Sequence, residues 1–207
     1  MKTLILAAIR CSLMFTAVTA PLFCVRAAQA YTLTLQQVGA NVVANGSGGF
    51  NLTGLTFLGT FSFSDTGGIA PALGIITTKG PGDVNIDGYG NFTGPTNFGS
   101  GGLIFSNSGS GDLVGISATA GGQPNIKVPE GYVSGNTLSD SMTFNNATFA
   151  SLGVTPGTYI WSWGTGLPNQ NFTLIIGGVG VPDGGSTVSL LGFALLGLAA
   201  LRRKLSC

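Results

Sequence analysis

The sequence predicts an all-β domain, an antiparallel β-sandwich or jelly roll, flanked by an N-terminal signal helix and a short C-terminal transmembrane helix. Short runs in the middle of the chain alternate apolar and polar residues between turns rich in Gly, Asn and Pro. This alternation is typical of strands that bury one face. No apolar stripe at helical spacing runs through that region, and the longest apolar runs lie at the two ends.

Residues 1–30 predict a secretory signal peptide. Lys2 and Arg10 give a basic start, residues 11–25 are mostly apolar, and Ala28 and Ala30 form a small-x-small cleavage site. Cleavage by signal peptidase after Ala30 would leave Tyr31 as the first residue. The alternative is a retained N-terminal membrane anchor, since the apolar run is near the short end of spanning length.

Residues 31–180 predict the β domain. Five runs in this region have the expected alternation: residues 32–35, 57–64, 138–144, 159–163 and 172–176. We expect the last two to form a hairpin around residues 164–170. In the second run, we expect Phe57, Phe61 and Phe63 to share one face of a strand. A β-helix is the alternative, but no repeat of fixed period is present, which favours a sandwich.

The same region has few reactive groups. It contains two lysines and six acidic residues, a net charge of 2 − 6 = −4, with no Arg and no Cys. Such a charge argues against a nucleic-acid partner, because binding to phosphates needs a basic patch. The whole chain has no histidine, the commonest general base. We therefore expect a protein that is not an enzyme and has no cofactor.

One acidic segment could bind calcium instead of forming a plain turn. Asp83, Asn85 and Asp87 stand at positions one, three and five of a loop pattern with Gly88 at six. Gly94 occupies position twelve, where such loops carry a bidentate Glu. The alternative is an Asx/Gly turn between strands.

Three aromatic residues could form an exposed platform for sugar rings. Tyr159, Trp161 and Trp163 fall on one face of a predicted strand. Because large aromatic side chains dominate the buried area of small domains, core packing is the favoured interpretation.

Residues 181–207 predict a second processing segment with three parts. The turn-forming motif is Val181, Pro182, Asp183, Gly184 and Gly185. An apolar run of fifteen residues follows, from Thr187 to Leu201, and the basic stop is Arg202, Arg203 and Lys204. A spanning helix needs about 20 residues, but local bilayer thinning accommodates shorter ones. The basic cluster should remain cytoplasmic.

This tail resembles the PEP-CTERM class of bacterial sorting signals, most closely the VPD-S/T-G variant, although Gly184 stands where that variant has Ser or Thr. The resemblance implies transient anchoring in the inner membrane and cleavage by an exosortase near Pro182. Residues 131–135, 147–153 and 156–164 (GYVSG, ATFASLG and PGTYIWSWG) resemble a Gly/Ser/Thr-rich β cargo domain found on PEP-CTERM proteins. That cargo domain implies no particular activity.

Together these patterns predict an exported, non-enzymatic protein of the cell surface or the exopolysaccharide matrix. Its expected partners are signal peptidase, the exosortase, the inner membrane and exopolysaccharide. The alternative function is a carbohydrate-binding module, assisted by calcium, for matrix polysaccharide.

Overall fold

The computed structural model describes residues 29–64, 66–80, 82–118 and 124–177, and the structural statements below concern these residues. They form thirteen strands in two sheets, one 3-10 turn at Pro71–Leu73 and one short helix, α1, at Phe149–Leu152. The prediction of a mostly β protein with antiparallel pairing is confirmed.

The first sheet has six strands in the order β12-β13-β1-β2-β11-β8. Their bounds are β1 Tyr31–Val38, β2 Asn41–Gly48, β8 Ser108–Gly111, β11 Leu138–Phe144, β12 Gly157–Ser162 and β13 Asn171–Ile176. β1 runs parallel to β13, and the other pairs are antiparallel. The predicted hairpin around residues 164–170 is confirmed, because β12 pairs with β13 from Gly157↔Ile176 to Ser162↔Asn171.

The second sheet has seven strands in the order β3-β6-β10-β9-β5-β4-β7. Their bounds are β3 Thr56–Phe63, β4 Gly68–Ala70, β5 Ile75–Thr78, β6 Val84–Gly90, β7 Ile104–Phe105, β9 Val114–Ala118 and β10 Pro124–Pro129. All of its pairs are antiparallel. Most of these strands are shorter than those of the six-stranded sheet.

Period-two alternation decides which side chains enter the core. In β1, Tyr31, Leu33 and Leu35 are fully buried, whereas the threonines between them are half-buried. β11 and β13 follow the same pattern, as the sequence predicts. Successive strand residues point to opposite faces, so one apolar set per strand suffices to bury a face of the sheet.

The buried side chains of both sheets belong to one apolar cluster. Phe172 lies near the centre of its aromatic part. The Phe172 ring centroid is 5.5 Å from that of Trp161, 5.2 Å from that of Tyr31 and 6.1 Å from that of Phe50. Aromatic rings contribute more buried area per residue than any other side chains, which compensates for the many glycines.

The expectation that Phe57, Phe61 and Phe63 share one face is wrong. β3 pairs with β6 through Phe57↔Tyr89 and Phe61↔Ile86, with an irregularity in register between Phe57 and Gly59. Such a bulge inserts one extra residue, which reverses the facing of every side chain beyond it. Phe57 therefore packs against Tyr89 (centroids 5.5 Å apart), while Phe61 and Phe63 lie on the other face.

Most predictions for the chain termini concern residues outside the described ranges. These are Ala28, the signal helix, the motif at residues 181–185, the apolar run and the basic stop at Arg202, Arg203 and Lys204. No helix within the described ranges is long and apolar enough to cross a membrane. Ala30 is described and forms an isolated parallel bridge with Gly49. The predicted signal-peptidase site thus directly precedes strand β1, which begins at Tyr31.

Candidate functional site

The segment that carries the candidate calcium ligands is a strand rather than a loop. Val84–Gly90 forms β6, which pairs with β3 and β10. Residues two apart in a strand are separated by about 6–7 Å, whereas calcium ligands lie within about 2.6 Å of one ion. The extended backbone therefore separates Asn85 from Asp87 instead of gathering them, and Asp83 directly precedes the strand. The loop geometry expected for the three residues is wrong.

Protein donors already occupy the side-chain oxygens of Asn85 and Asp87. Thr60 Oγ1 donates to Asp87 Oδ1 (2.7 Å), and the Gly131 backbone N–H donates to Asp87 Oδ2 (2.9 Å). Ser62 Oγ donates to Asn85 Oδ1 (3.1 Å), while Asn85 Nδ2 donates to Glu130 Oε2 (3.0 Å). The described residues contain no cluster of three or more acidic, His or Cys side chains that could hold a metal ion. Calcium binding stays a prediction that this geometry does not favour.

Trp161 on β12 and Trp163 just after it lie in the core, as the favoured interpretation predicts, and Tyr159 is half-buried against that core. Trp161 is 2% exposed and Trp163 is 6% exposed. Trp161 Nε1 donates to the Pro95 carbonyl (3.0 Å) and Trp163 Nε1 donates to the Asn51 carbonyl (2.7 Å). Since both rings are buried and both N–H groups are satisfied, an exposed tryptophan platform for sugars is wrong.

The outer face of the six-stranded sheet is rich in hydroxyl groups. Its outward positions on β13, β1, β2, β11 and β8 are Asn171, Thr173, Ile175, Thr32, Thr34, Gln36, Val38, Asn41, Val43, Asn45, Ser47, Ser139, Ser141, Thr143, Ser108 and Ser110. None of these residues is ionisable. We call this surface the hydroxyl face.

The strand register aligns the hydroxyl face into rows that cross the sheet. Thr173, Thr32, Ser47 and Ser139 occupy paired positions on four consecutive strands. Ile175, Thr34, Asn45, Ser141 and Ser110 do the same on five strands. Neighbouring strands lie about 4.8 Å apart, so each row presents a polar group at about that interval, except where Ile175 occupies the position on β13.

A shallow groove of about 630 Å³ follows these two rows. Thr34 Oγ1, on its floor, donates to the Asn45 carbonyl (3.1 Å), and the Ser110 and Ser141 hydroxyls form a hydrogen bond (2.8 Å). The volume lies within the range of about 300–1,000 Å³ that is usual for small-molecule sites. A hydroxyl can donate once and accept twice, so these groups keep hydrogen-bonding capacity for a ligand.

One carboxyl group lies among the buried residues of the same strands. Asp140 faces inward on β11, is 5% exposed, and its Oδ2 accepts a hydrogen bond from the Tyr31 hydroxyl (2.7 Å). Gly46 pairs with Asp140 across the sheet, and a Cβ at that position would overlap both of these side chains. The absence of a side chain at Gly46 therefore provides the space for the Tyr31–Asp140 pair.

Burial raises the pKa of Asp140 to about 6, because a charged carboxylate is poorly solvated there. The hydrogen bond from Tyr31 and the nearby Thr78 hydroxyl oppose that rise, and the negative charge of Asp112 adds to it. Thr78 donates its hydrogen to the Val114 carbonyl (2.9 Å). Among the described residues, no donor therefore reaches Asp140 Oδ1. The same burial raises the pKa of Tyr31 well above its usual value.

Sequence reasoning missed both the hydroxyl face and the Tyr31–Asp140 pair. The signal for the former was present, because Ser and Thr occupy the polar positions of the alternating runs at residues 32–35 and 138–144. Alternation within one strand does not reveal which strands become neighbours, so the rows could not be inferred. The inward facing of Asp140 follows from its spacing to Leu138 and Met142.

Comparison with known families identifies the C-terminal tail. Residues 180–205 match the VPDSG-CTERM motif, a PEP-CTERM-like exosortase sorting-signal variant. No curated protein and no solved structure matches the chain. The chain therefore carries a VPDSG-CTERM sorting signal. The motif indicates an exported, membrane-anchored precursor that is processed by an exosortase.

Proposed function

We propose that this protein is an exported, non-enzymatic component of the cell surface or the exopolysaccharide matrix, delivered there by exosortase processing. The observation that carries the proposal is the VPDSG-CTERM motif at residues 180–205. The tail consists of a turn-forming motif, a short apolar run and a basic end, in that order. This order is the one expected of a precursor that is held briefly in the inner membrane. The signal peptide at residues 1–30 would supply the export step.

The architecture supports a structural or binding role for the cargo. In this proposal the two sheets form a sandwich-type domain with one shared apolar core. The chain contains no histidine, and Asp87 and Asp140 are engaged by protein donors. Function depends on a site rather than on a fold, and the most developed polar surface described here is an uncharged one.

Exosortase processing can be tested with a C-terminal epitope tag in a bacterium that has the enzyme. We expect the tag to be lost from the exported protein, and an exosortase deletion to preserve a larger, membrane-associated form. A Pro182→Ala, Asp183→Ala double variant should behave like the deletion. A Pro156→Ala variant, outside the motif, is the matched control and should be processed normally. Unchanged size and location in the deletion strain would contradict the proposal.

The carbohydrate-binding alternative loses the aromatic platform on which it depended, because Trp161 and Trp163 are buried. The calcium-assisted form loses its loop, because Asn85 and Asp87 belong to strand β6, which begins directly after Asp83. A polysaccharide-binding role therefore needs a different surface, and the hydroxyl face provides one.

A further inference from the structure

We propose that the hydroxyl face of the six-stranded sheet binds an uncharged polysaccharide chain along the groove that crosses β13, β1, β2, β11 and β8. This inference rests on the proposed function, since it names a ligand class for a protein delivered to the matrix. It assigns the binding to hydroxyl and amide groups rather than to aromatic rings.

The first argument is the match between the rows and an extended polyol. A chain lying along a row meets another hydroxyl or amide group about 4.8 Å further on at each strand, except at Ile175 on β13. Ser47, Asn45 and Ser139 are exposed within the groove. Both a sugar hydroxyl and a Ser or Thr hydroxyl donate and accept, so hydrogen bonds can form in several registers. A polymer of repeating units fits a surface with repeating groups.

The second argument is the charge of the surface. The outward positions of these strands carry no Lys or Arg, so an anionic polymer would meet no neutralising cation. Two carboxyl groups add negative potential. Asp140 lines the groove, and at its edge the Asp112 Oδ2 accepts a hydrogen bond from the Ser139 backbone N–H (2.8 Å). Charge complementarity across interfaces selects partners by excluding like charge. The favoured occupant is therefore neutral.

The third argument is that the side chains of the groove are held in fixed positions before a ligand binds. The hydrogen bonds of Thr34 with the Asn45 carbonyl and of Ser110 with Ser141 hold these side chains in place. They lie on paired strands of a sheet, and Ser and Thr have short side chains. Binding then costs little side-chain entropy, and such preorganisation favours affinity.

The experiment uses the protein as the producing cells export it, with a neutral glucan oligosaccharide series as the probe and a polyuronate of equal length as the charged comparison. Binding is measured by calorimetry and by chemical-shift changes of backbone amides. We expect binding to the neutral series that strengthens with chain length. We also expect shifts confined to the strands of the groove.

The test variant is Asn45→Ala with Ser47→Ala, and the matched control is Asn97→Ala with Ser100→Ala, an exposed pair on the loop between β6 and β7. We expect the test pair to weaken binding about tenfold, since two hydrogen-bonding groups are lost. The control should bind like the unmodified protein. Both variants should keep the unmodified melting temperature.

Four results would overturn the inference: no binding to the neutral series, a preference for the polyuronate, equal losses in both variants, or self-association that the test pair abolishes. The last would make the hydroxyl face a contact between two copies of the chain. Failure here and failure of the proposed function remain distinguishable. If the protein is processed normally but does not bind neutral glycans, only the proposed ligand is contradicted. If it binds them but is not cleaved by the exosortase, only the proposed sorting is contradicted.

Discussion

The two sheets bury similar apolar faces but present different surfaces to solvent. The six-stranded sheet presents Ser, Thr and Asn on its hydroxyl face. The seven-stranded sheet ends at β3, where Phe57, Leu58 and Phe61 are 54%, 42% and 44% exposed. Beside them, the Lys127 ammonium lies 4.2 Å from the centroid of the Phe63 ring. The fold constrains the inward half of each alternating strand, and the outward half is free to serve a function.

The largest expected effect concerns the core that the sheets share. Phe172→Ala should lower the free energy of unfolding by about 3–5 kcal/mol, because it leaves a cavity among Tyr31, Phe50 and Trp161. Phe61→Ala, the matched control on the exposed strand β3, should cost far less. Urea denaturation measures both changes. Similar losses in the two variants would contradict the distinction between inward and outward positions.

The second effect is the pH dependence that Asp140 confers. Its pKa rises on folding, from 3.8 to about 6, so the folded state binds more protons between these values. This group's contribution to stability should therefore fall as pH rises from about 4 to about 6, by about 3 kcal/mol. Below pH 4 the carboxyl is protonated in both states, and the contribution is constant.

Asp140→Asn isolates this effect, because the amide oxygen can still accept from the Tyr31 hydroxyl. Relative to the unmodified protein, the variant should gain about 3 kcal/mol between pH 4 and pH 7, measured by urea denaturation across that range. Asn97→Ala, at an exposed position, changes no titratable group, so it is the control and should give a flat difference. A flat difference for Asp140→Asn as well would show that this carboxyl titrates alike in both states.

The third effect tests the space that Gly46 provides. Gly46→Ala should destabilise the protein by about 1–3 kcal/mol through overpacking, since the added Cβ would overlap Tyr31 and Asp140. Gly102→Ala places a Cβ with nothing within 4 Å and should change stability by less than about 0.5 kcal/mol. Thermal melting of the two variants provides the measurement. Equal melting temperatures would mean that the Tyr31–Asp140 pair can move aside without cost.

The sequence was informative where one strand alone decides the outcome. The alternation of apolar and polar residues correctly predicted β1, β11, β12 and β13 and the burial of Trp161. Within one strand, the face to which a side chain points depends only on whether its position is odd or even. The alternation gave wrong predictions where the orientation of the side chains depends on the neighbouring strand. The bulge in β3 arises from its pairing with β6, and the extension of residues 84–90 arises from pairing on both sides. Isolated from those partners, the pattern at Asp83, Asn85 and Asp87 resembled a loop.

The candidate site likewise has one part that a local pattern predicts and one part that depends on which strands become neighbours. The tail motif is a local pattern, so the sequence alone located it, and the family comparison agrees at residues 180–205. The rows of the hydroxyl face join residues as distant along the chain as Thr32 and Thr173. Only the strand order, with β1 between β13 and β2, brings them together. No property of either segment specifies that neighbour.

The smallest expected effect sharpens the contrast between the two outer surfaces. Ser141→Ala removes one exposed hydrogen bond, to the Ser110 hydroxyl, and should cost only about 0.5 kcal/mol of stability. Leu58→Ala, at a similarly outward position on β3, provides the comparison, and both are measured by urea denaturation. Because Ser141 lies in the groove, the same variant should weaken neutral-glycan binding by a factor of a few. Lost binding with retained stability would separate the outward function of a strand from its inward role in folding, whereas a large loss of stability would show that the hydroxyl rows help to hold the sheet together.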